Sequence, residues 1–154
     1  MKPISVGDRA PEFTGTAADG RRVSLAEFRG NHAVVVFFYP RDNTSICTQE
    51  ACAFRDAFDD FVQAGAVVIG VSSDSNETHQ GFAASQRLPY LLIADVDGSL
   101  RRAFGVPNSL LILPGRVTYV IDREGIVRHV FNALLQGKQH TDEALRIVRE
   151  LRGH

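Results

Sequence analysis

The chain has 154 residues, of which 44% are hydrophobic and 23% charged, with a formal net charge of -1. This is the length and balance of one soluble domain that can bury a core without staples. So small a charge offers no field for nucleic acid or an anionic membrane, and apolar runs such as Ala33 to Tyr39 are far too short to span a bilayer. The opening, Met1 to Asp8, has neither an apolar secretory core nor an Arg/Ser-rich leader, so a cytoplasmic location is expected. No repeat, low-complexity tract or linker interrupts the chain, and residues 1–154 are expected to form a single domain.

In chain order, Phe13 to Ala17 and Arg22-Val23 flank Asp19-Gly20, which predicts a small N-terminal β-hairpin. His32 to Tyr39 is a nearly continuous β-branched and aromatic run, as expected of a strand covered on both faces, and Pro40 ends it. After a polar loop, Ala51, Phe54, Phe58, Phe61 and Val62 recur at helical spacing, predicting one helix from near Cys47 to about Ala64, closed by Gly65. Phe37, Phe38, Phe54 and Phe58 read as core. Ala66 to Ser72 is a second buried strand, and a helix follows from Asn76 to about Gln86 with Asn76 as its N-cap. Leu91 to Ile93 reads as a short strand, Asp97-Gly98 as a turn, and the residues through Phe104 as a short helical piece.

The stretch Pro107 to Leu113 is unusually apolar, and is either core packing or an exposed docking patch. Val117 to Ile121 and Ile126 to Phe131, joined by Asp122 to Gly125, have hairpin chemistry. Thr141 to Leu151 closes the chain as an amphipathic helix with Ala144, Leu145, Val148 and Leu151 on one side. Two βα units, a hairpin and a final helix make an α/β protein with a mixed central sheet flanked by helices on both faces. That order fits a thioredoxin-like fold with an N-terminal β-hairpin extension and an insertion between its halves.

Only two cysteines occur, Cys47 and Cys52. A C-x4-C spacing without a second pair, with His32, His79, His129, His140 and His154 scattered, does not compose a metal site. Neither a metal nor an organic cofactor is expected. In the first turn of a helix, Cys47 meets unsatisfied N–H groups and the positive end of the helix dipole, which favour thiolate over thiol. Strand, proline turn and helix start together form a rigid mount that aims its sulfur out from the carboxyl end of the sheet. In an intact helix, Cys52 lies about 7.5 Å further along the axis and about 140° around it. Cα atoms so placed exceed the usual disulfide limit of about 7 Å. The two sulfurs join only if the helix unwinds locally. The plainer alternative is that both are small, half-buried helix residues.

Pro40, Thr44, Cys47, Thr48 and Glu50 compose the pattern P-x3-T-x2-C-T-x-E, which resembles the peroxiredoxin active-site motif. The continuation Glu50 to Asp56 resembles the Q-type branch, the bacterioferritin comigratory proteins, whose resolving cysteine often follows the peroxidatic one by five residues. Gly7 to Phe13, Ser24 to Gly30, Gly70 to Asp74 and Leu113 to Asp122 extend the resemblance through most of the chain. One departure is Thr44-Ser45-Ile46-Cys47 where such proteins commonly carry Thr-Pro-Gly-Cys, which sets a bulky apolar side chain beside the sulfur.

The resemblance implies an antioxidant thiol peroxidase acting on hydrogen peroxide and organic hydroperoxides. Cys47 would become a sulfenic acid, and Cys52 would resolve it as an intramolecular disulfide. Thr44 and the Cys47 backbone would hold the peroxide oxygens, and Arg116 would stabilise the thiolate and donate to the peroxide. Pro40 would shield the pocket, Glu50 would orient an arginine, and Thr48 and Gln49 would line the site. Thioredoxin, or glutaredoxin, would be the reductant, and a monomer would suffice. A dithiol–disulfide oxidoreductase on the same fold is the first rival, disfavoured by the missing C-x-x-C. A redox sensor or holdase that exploits the local unwinding is the second.

Overall fold

A computed structural model describes residues 4–40, 44–106, 108–109, 113–114, 116–132 and 137–152. β1 (Thr14–Thr16) and β2 (Arg22–Ser24) pair antiparallel as the expected hairpin. A 3-10 turn, Leu25–Phe28, follows at once, and the Ser24 N–H donates to Glu27 Oε2 at 3.1 Å across its start. β3 (Ala33–Phe38) is buried at all six positions. Its side chains alternate, with Val34, Val36 and Phe38 entering one core and Val35 and Phe37 the other. Burial on both sides explains why the segment reads as an unbroken apolar run rather than as alternation.

β3 leads to α1 (Ser45–Asp56), α2 (Phe58–Gln63), β4 (Ala66–Ser72), α3 (Asn76–Gln86), β5 (Leu91–Ala94) and α4 (Ser99–Phe104). Next come β6 (Asn108–Ser109), β7 (Leu113–Pro114), β8 (Val117–Ile121), β9 (Val127–Asn132) and α5 (Gly137–Arg152). The main sheet has the order β5-β4-β3-β8-β9, parallel from β5 to β3 and antiparallel from β3 through β9. This is the mixed sheet of the expected thioredoxin-like fold, with its N-terminal hairpin. β6 pairs with β7. Whether Pro107 to Leu113 is core or docking patch lies outside the described residues.

The two faces of the sheet are dressed differently. Ala51 and Phe54 of α1, Phe61 of α2, Phe82 of α3, and Ala144 and Val148 of α5 pack on the Val35 and Phe37 side. Phe37 and Phe54 stack there with ring centroids 4.4 Å apart. The opposite face carries no long helix among the described residues. It is covered by Phe13, Val23, Leu25 and Phe28 of the N-terminal segment, with Leu100 and Phe104 of α4.

Three expectations are corrected. The single helix to Ala64 is broken at Ala57, whose φ of -94° and ψ of 4° leave helical geometry. Past the break Phe61 reaches the core, Phe58 is only half-buried, and Val62 turns to solvent at 53% exposure, so one apolar stripe is split over two helices. Ser75, not Asn76, caps α3, its side chain accepting from the Thr78 N–H at 3.2 Å. α5 begins at Gly137, four residues before Thr141.

That glycine has a packing reason. A Cβ on Gly137 would lie 2.8 Å from the Ile46 carbonyl oxygen and 3.0 Å from the Glu50 nitrogen. The first turns of α5 and α1 therefore touch backbone to backbone. Gly→Ala in a helix ordinarily stabilises by up to about 1 kcal/mol. Here Gly137→Ala must push two helices apart, and the overpacking cost of about 1–3 kcal/mol wins. The expected outcome is a lower urea midpoint with an unchanged slope; a raised midpoint would show that the helices separate freely.

Candidate active site

β3 delivers the chain to the site through Tyr39, which is buried, and Pro40, which is half-buried. Residues Arg41 to Asn43 of the polar loop lie outside the described residues. Thr44 then takes the N-cap position of α1, with φ -86° and ψ 157°. Its carbonyl accepts from the Thr48 N–H at 2.8 Å, while its side chain makes no capping hydrogen bond. The hydroxyl is thus not the helix cap that its position allows. Cys47 is the third residue of α1, in the turn whose N–H groups lack a partner four residues back.

The sulfur is at the carboxyl end of the sheet, as expected, but it does not stand open. Cys47 is 1% exposed. What covers it is set by sheet register. Val117 of β8 pairs with Phe38 of β3, so the antiparallel ladder brings Arg116 level with Tyr39, at the edge from which α1 springs. Arg116 shares its side of the strand with Thr118 and Val120, the side on which α1 and α5 pack. An arginine at a strand start is ordinarily solvated, yet this one is 3% exposed.

Its guanidinium spans two acceptors on one helix face. Nη2 donates to Cys47 Sγ at 3.1 Å, and Nη1 donates to Glu50 Oε1 at 2.5 Å. Cys47 and Glu50 are three residues apart, the spacing that stacks side chains along a helix. Glu50 is thus in the second turn of α1, where it holds the arginine. It is 0% exposed, and Oε2 has no hydrogen-bond partner. Burial pushes the Glu50 carboxyl up to about 8, with Arg116 pulling against that rise through its charge and its hydrogen bond.

Behind Glu50 stand two residues that sequence reasoning passed over. His140 Nδ1 is 3.4 Å from Glu50 Oε2 and 2.7 Å from Thr118 Oγ1. His140 is four residues before Ala144 and eight before Val148, on the stripe that α5 buries, and that spacing was the available signal. Thr48 is half-buried and Gln49 exposed, so Gln49 is less enclosed than a lining residue.

Cys52 lies on the same unbroken helix, half-buried, and both cysteines are free thiols. Its Sγ donates to Gln86 Oε1 at 3.3 Å, and Arg55 Nη1 donates to the Gln86 carbonyl at 2.8 Å. The Tyr90 hydroxyl donates to the Ala51 carbonyl at 2.7 Å. The end of α3 and the following loop thus grip the middle of α1 around the second cysteine. Gln86 and Tyr90 are far from Cys52 in sequence, and no local pattern announces them.

The AhpC/TSA family model matches residues 6–130. The chain is 45% identical over 150 residues to a chloroplastic peroxiredoxin Q of Sedum lineare, covering 97% of this chain and 80% of that protein. It is 47% identical over 147 residues to a chloroplastic peroxiredoxin Q of Gentiana triflora, covering 95% and 67%. Among solved structures it resembles peroxidoxin BcpB of Mycobacterium tuberculosis, with a TM-score of 0.89 at 32% identity over 96% of this chain and 98% of that one. It also resembles peroxiredoxin Q of Xanthomonas campestris, with a TM-score of 0.83 at 30% identity over 91% of each chain. A thiol held by a buried guanidinium at the head of a helix, on a sheet of this order, agrees with these likenesses: the chain belongs to the AhpC/TSA family, among the peroxiredoxins of the Q type.

Proposed function

We propose that this thiol peroxidase reduces hydroperoxides through a Cys47 sulfenic acid, which Cys52 resolves as an intramolecular disulfide. The observation that carries the reading is the forked guanidinium of Arg116, one arm on the Cys47 sulfur and the other on a buried carboxyl. A guanidinium stays charged, and placed this close in a dry site it stabilises negative charge on the sulfur. The thiolate attacks one peroxide oxygen, the O–O bond breaks, and the second oxygen leaves as hydroxide or alkoxide that takes up a proton. The donors for those oxygens are the Thr44 hydroxyl, the Cys47 backbone N–H and Arg116, which meet the charge as it grows. Pro40 shields the pocket, and Glu50 aims the guanidinium.

In the second step the Cys52 thiol attacks the sulfenic sulfur, water leaves, and the disulfide forms. Both cysteines lie within one continuous helix, five residues apart, so α1 must open first. The Gln86, Arg55 and Tyr90 contacts are what that opening must break. A dithiol protein of the thioredoxin class, or glutaredoxin, then reduces the disulfide by exchange. Because the resolving thiol is on the same chain, a monomer suffices.

Cys52→Ser should keep one fast reaction with peroxide and lose turnover with thioredoxin and its reductase, measured by stopped flow and by NADPH consumption. Undiminished cycling in that variant would refute the resolving role. Arg116→Met should slow the first reaction by about 10²–10³-fold while leaving the fold intact; a rate within twofold of the parent removes the guanidinium from the mechanism.

Glu50 gives a pH signature. Its carboxyl is raised from 4.5 to about 8 in the folded protein, so the folded state holds a proton that the unfolded state has released. The stability contributed by that proton is complete below the unfolded value and is lost as pH rises through about 8. The urea midpoint of the wild-type protein should therefore fall more steeply than that of Glu50→Gln between about pH 5 and pH 8. Parallel profiles for the two proteins would mean that Glu50 is ionised throughout.

A further inference from the structure

We propose that His140 is a positioning residue for this site: its imidazole holds the Glu50 carboxyl in the orientation that keeps Arg116 on the Cys47 sulfur. The need for such a group follows from the guanidinium geometry. Nη2 is committed to sulfur, so Glu50 holds Arg116 through one hydrogen bond, Nη1 to Oε1. A single bond leaves a carboxyl group able to turn about its own Cγ–Cδ axis, and a turn loosens its hold on the arginine. Something must face the other oxygen.

That group is the His140 ring. Nδ1 stands 3.4 Å from Oε2, an electrostatic contact rather than a formed hydrogen bond. The ring cannot drift, because Thr118 Oγ1 lies 2.7 Å from the same nitrogen and Phe131 meets the ring edge-on at 4.7 Å between centroids. His140 and Glu50 are each 0% exposed and Thr118 is 1% exposed, so water does not compete for these contacts. Gly137, one helical turn before His140, permits the approach that brings the ring to Glu50.

The chemistry of the two groups is complementary. A carboxyl pushed up to about 8 by burial carries a proton near neutrality. The His140 ring nitrogen faces Oε2 at 3.4 Å, on the side away from Oε1, which accepts from Arg116. Among the described residues, the ionisable groups facing one another here include Cys47 and Glu50 of α1, Arg116 ahead of β8 and His140 of α5. β8 and β9 contribute the neutral Thr118 and Phe131.

The inference rests on Cys47 being the nucleophile, and its test separates the two. In a Cys52→Ser background, so that Cys47 alone reports, iodoacetamide alkylation and a single turnover with hydrogen peroxide are followed from about pH 5 to pH 9. His140→Leu should lose about tenfold in peroxide rate at pH 7 and move the alkylation midpoint up by about one unit. His140→Asn, whose amide falls near the place of Nδ1, should recover most of both, and Thr118→Val, nearly isosteric, should fall between. Equal losses in His140→Leu and His140→Asn, with thermal stability reduced and the alkylation midpoint unmoved, would make His140 a packing residue and overturn the proposal. If His140→Leu does not fold, Thr118→Val decides: an unmoved midpoint there overturns it as well. A parent protein that alkylates at Cys47 but ignores peroxide sinks the peroxidase reading, while the alkylation series still tests His140.

Discussion

A guanidinium taken out of water loses several kcal/mol of hydration, and only well-placed acceptors restore it. Arg116 is buried to 3% exposure, and its described acceptors include a thiol sulfur and a carboxyl that are themselves buried. Much of the molecule serves that arrangement. The β3–β8 register places the arginine, the pitch of α1 places both acceptors, and α5 closes over the back. A guanidinium so enclosed cannot relax toward solvent, so it aims positive charge at the Cys47 sulfur.

Under the proposed mechanism the same helix meets two opposed demands. It has to be rigid when Cys47 reacts, because the sulfur, the N–H groups of the first turn and Arg116 act together only in helical geometry. It has to open when Cys52 takes over, because helical geometry keeps the two cysteines apart. The structure divides these demands along α1. The Cys47 end is held by the buried Arg116–Glu50 contact and by the backbone of α5, whereas the Cys52 region is gripped by the hydrogen bonds it makes with Gln86 and Tyr90. Ala57 already breaks the helix just beyond, so opening this stretch need not propagate into α2.

Much of the architecture was legible because its signals are local. Two-sided burial makes β3 and β4 read as unbroken apolar runs, and Asp-Gly turns mark the N-terminal hairpin and the approach to α4. The errors fell where packing overrides local preference. Position 57 carries no breaker residue, Ser75 and Asn76 are both good caps, and Gly137 is a glycine for want of space against α1.

The sequence by itself determined the buried strands β3 and β4, a cysteine at a helix start and a second cysteine out of reach on the same helix, because each depends on residues within a few positions of one another. It also marked Arg116, though only through a family motif, since nothing about an arginine before a strand says that it is buried. Tertiary structure alone decided that Cys47 is covered, that Glu50 pairs with Arg116 across 66 residues, and that His140 and Thr118 stand behind them. Those contacts join α1, β8 and α5, whose meeting is set by sheet register and helix packing, and neither is written in any one segment.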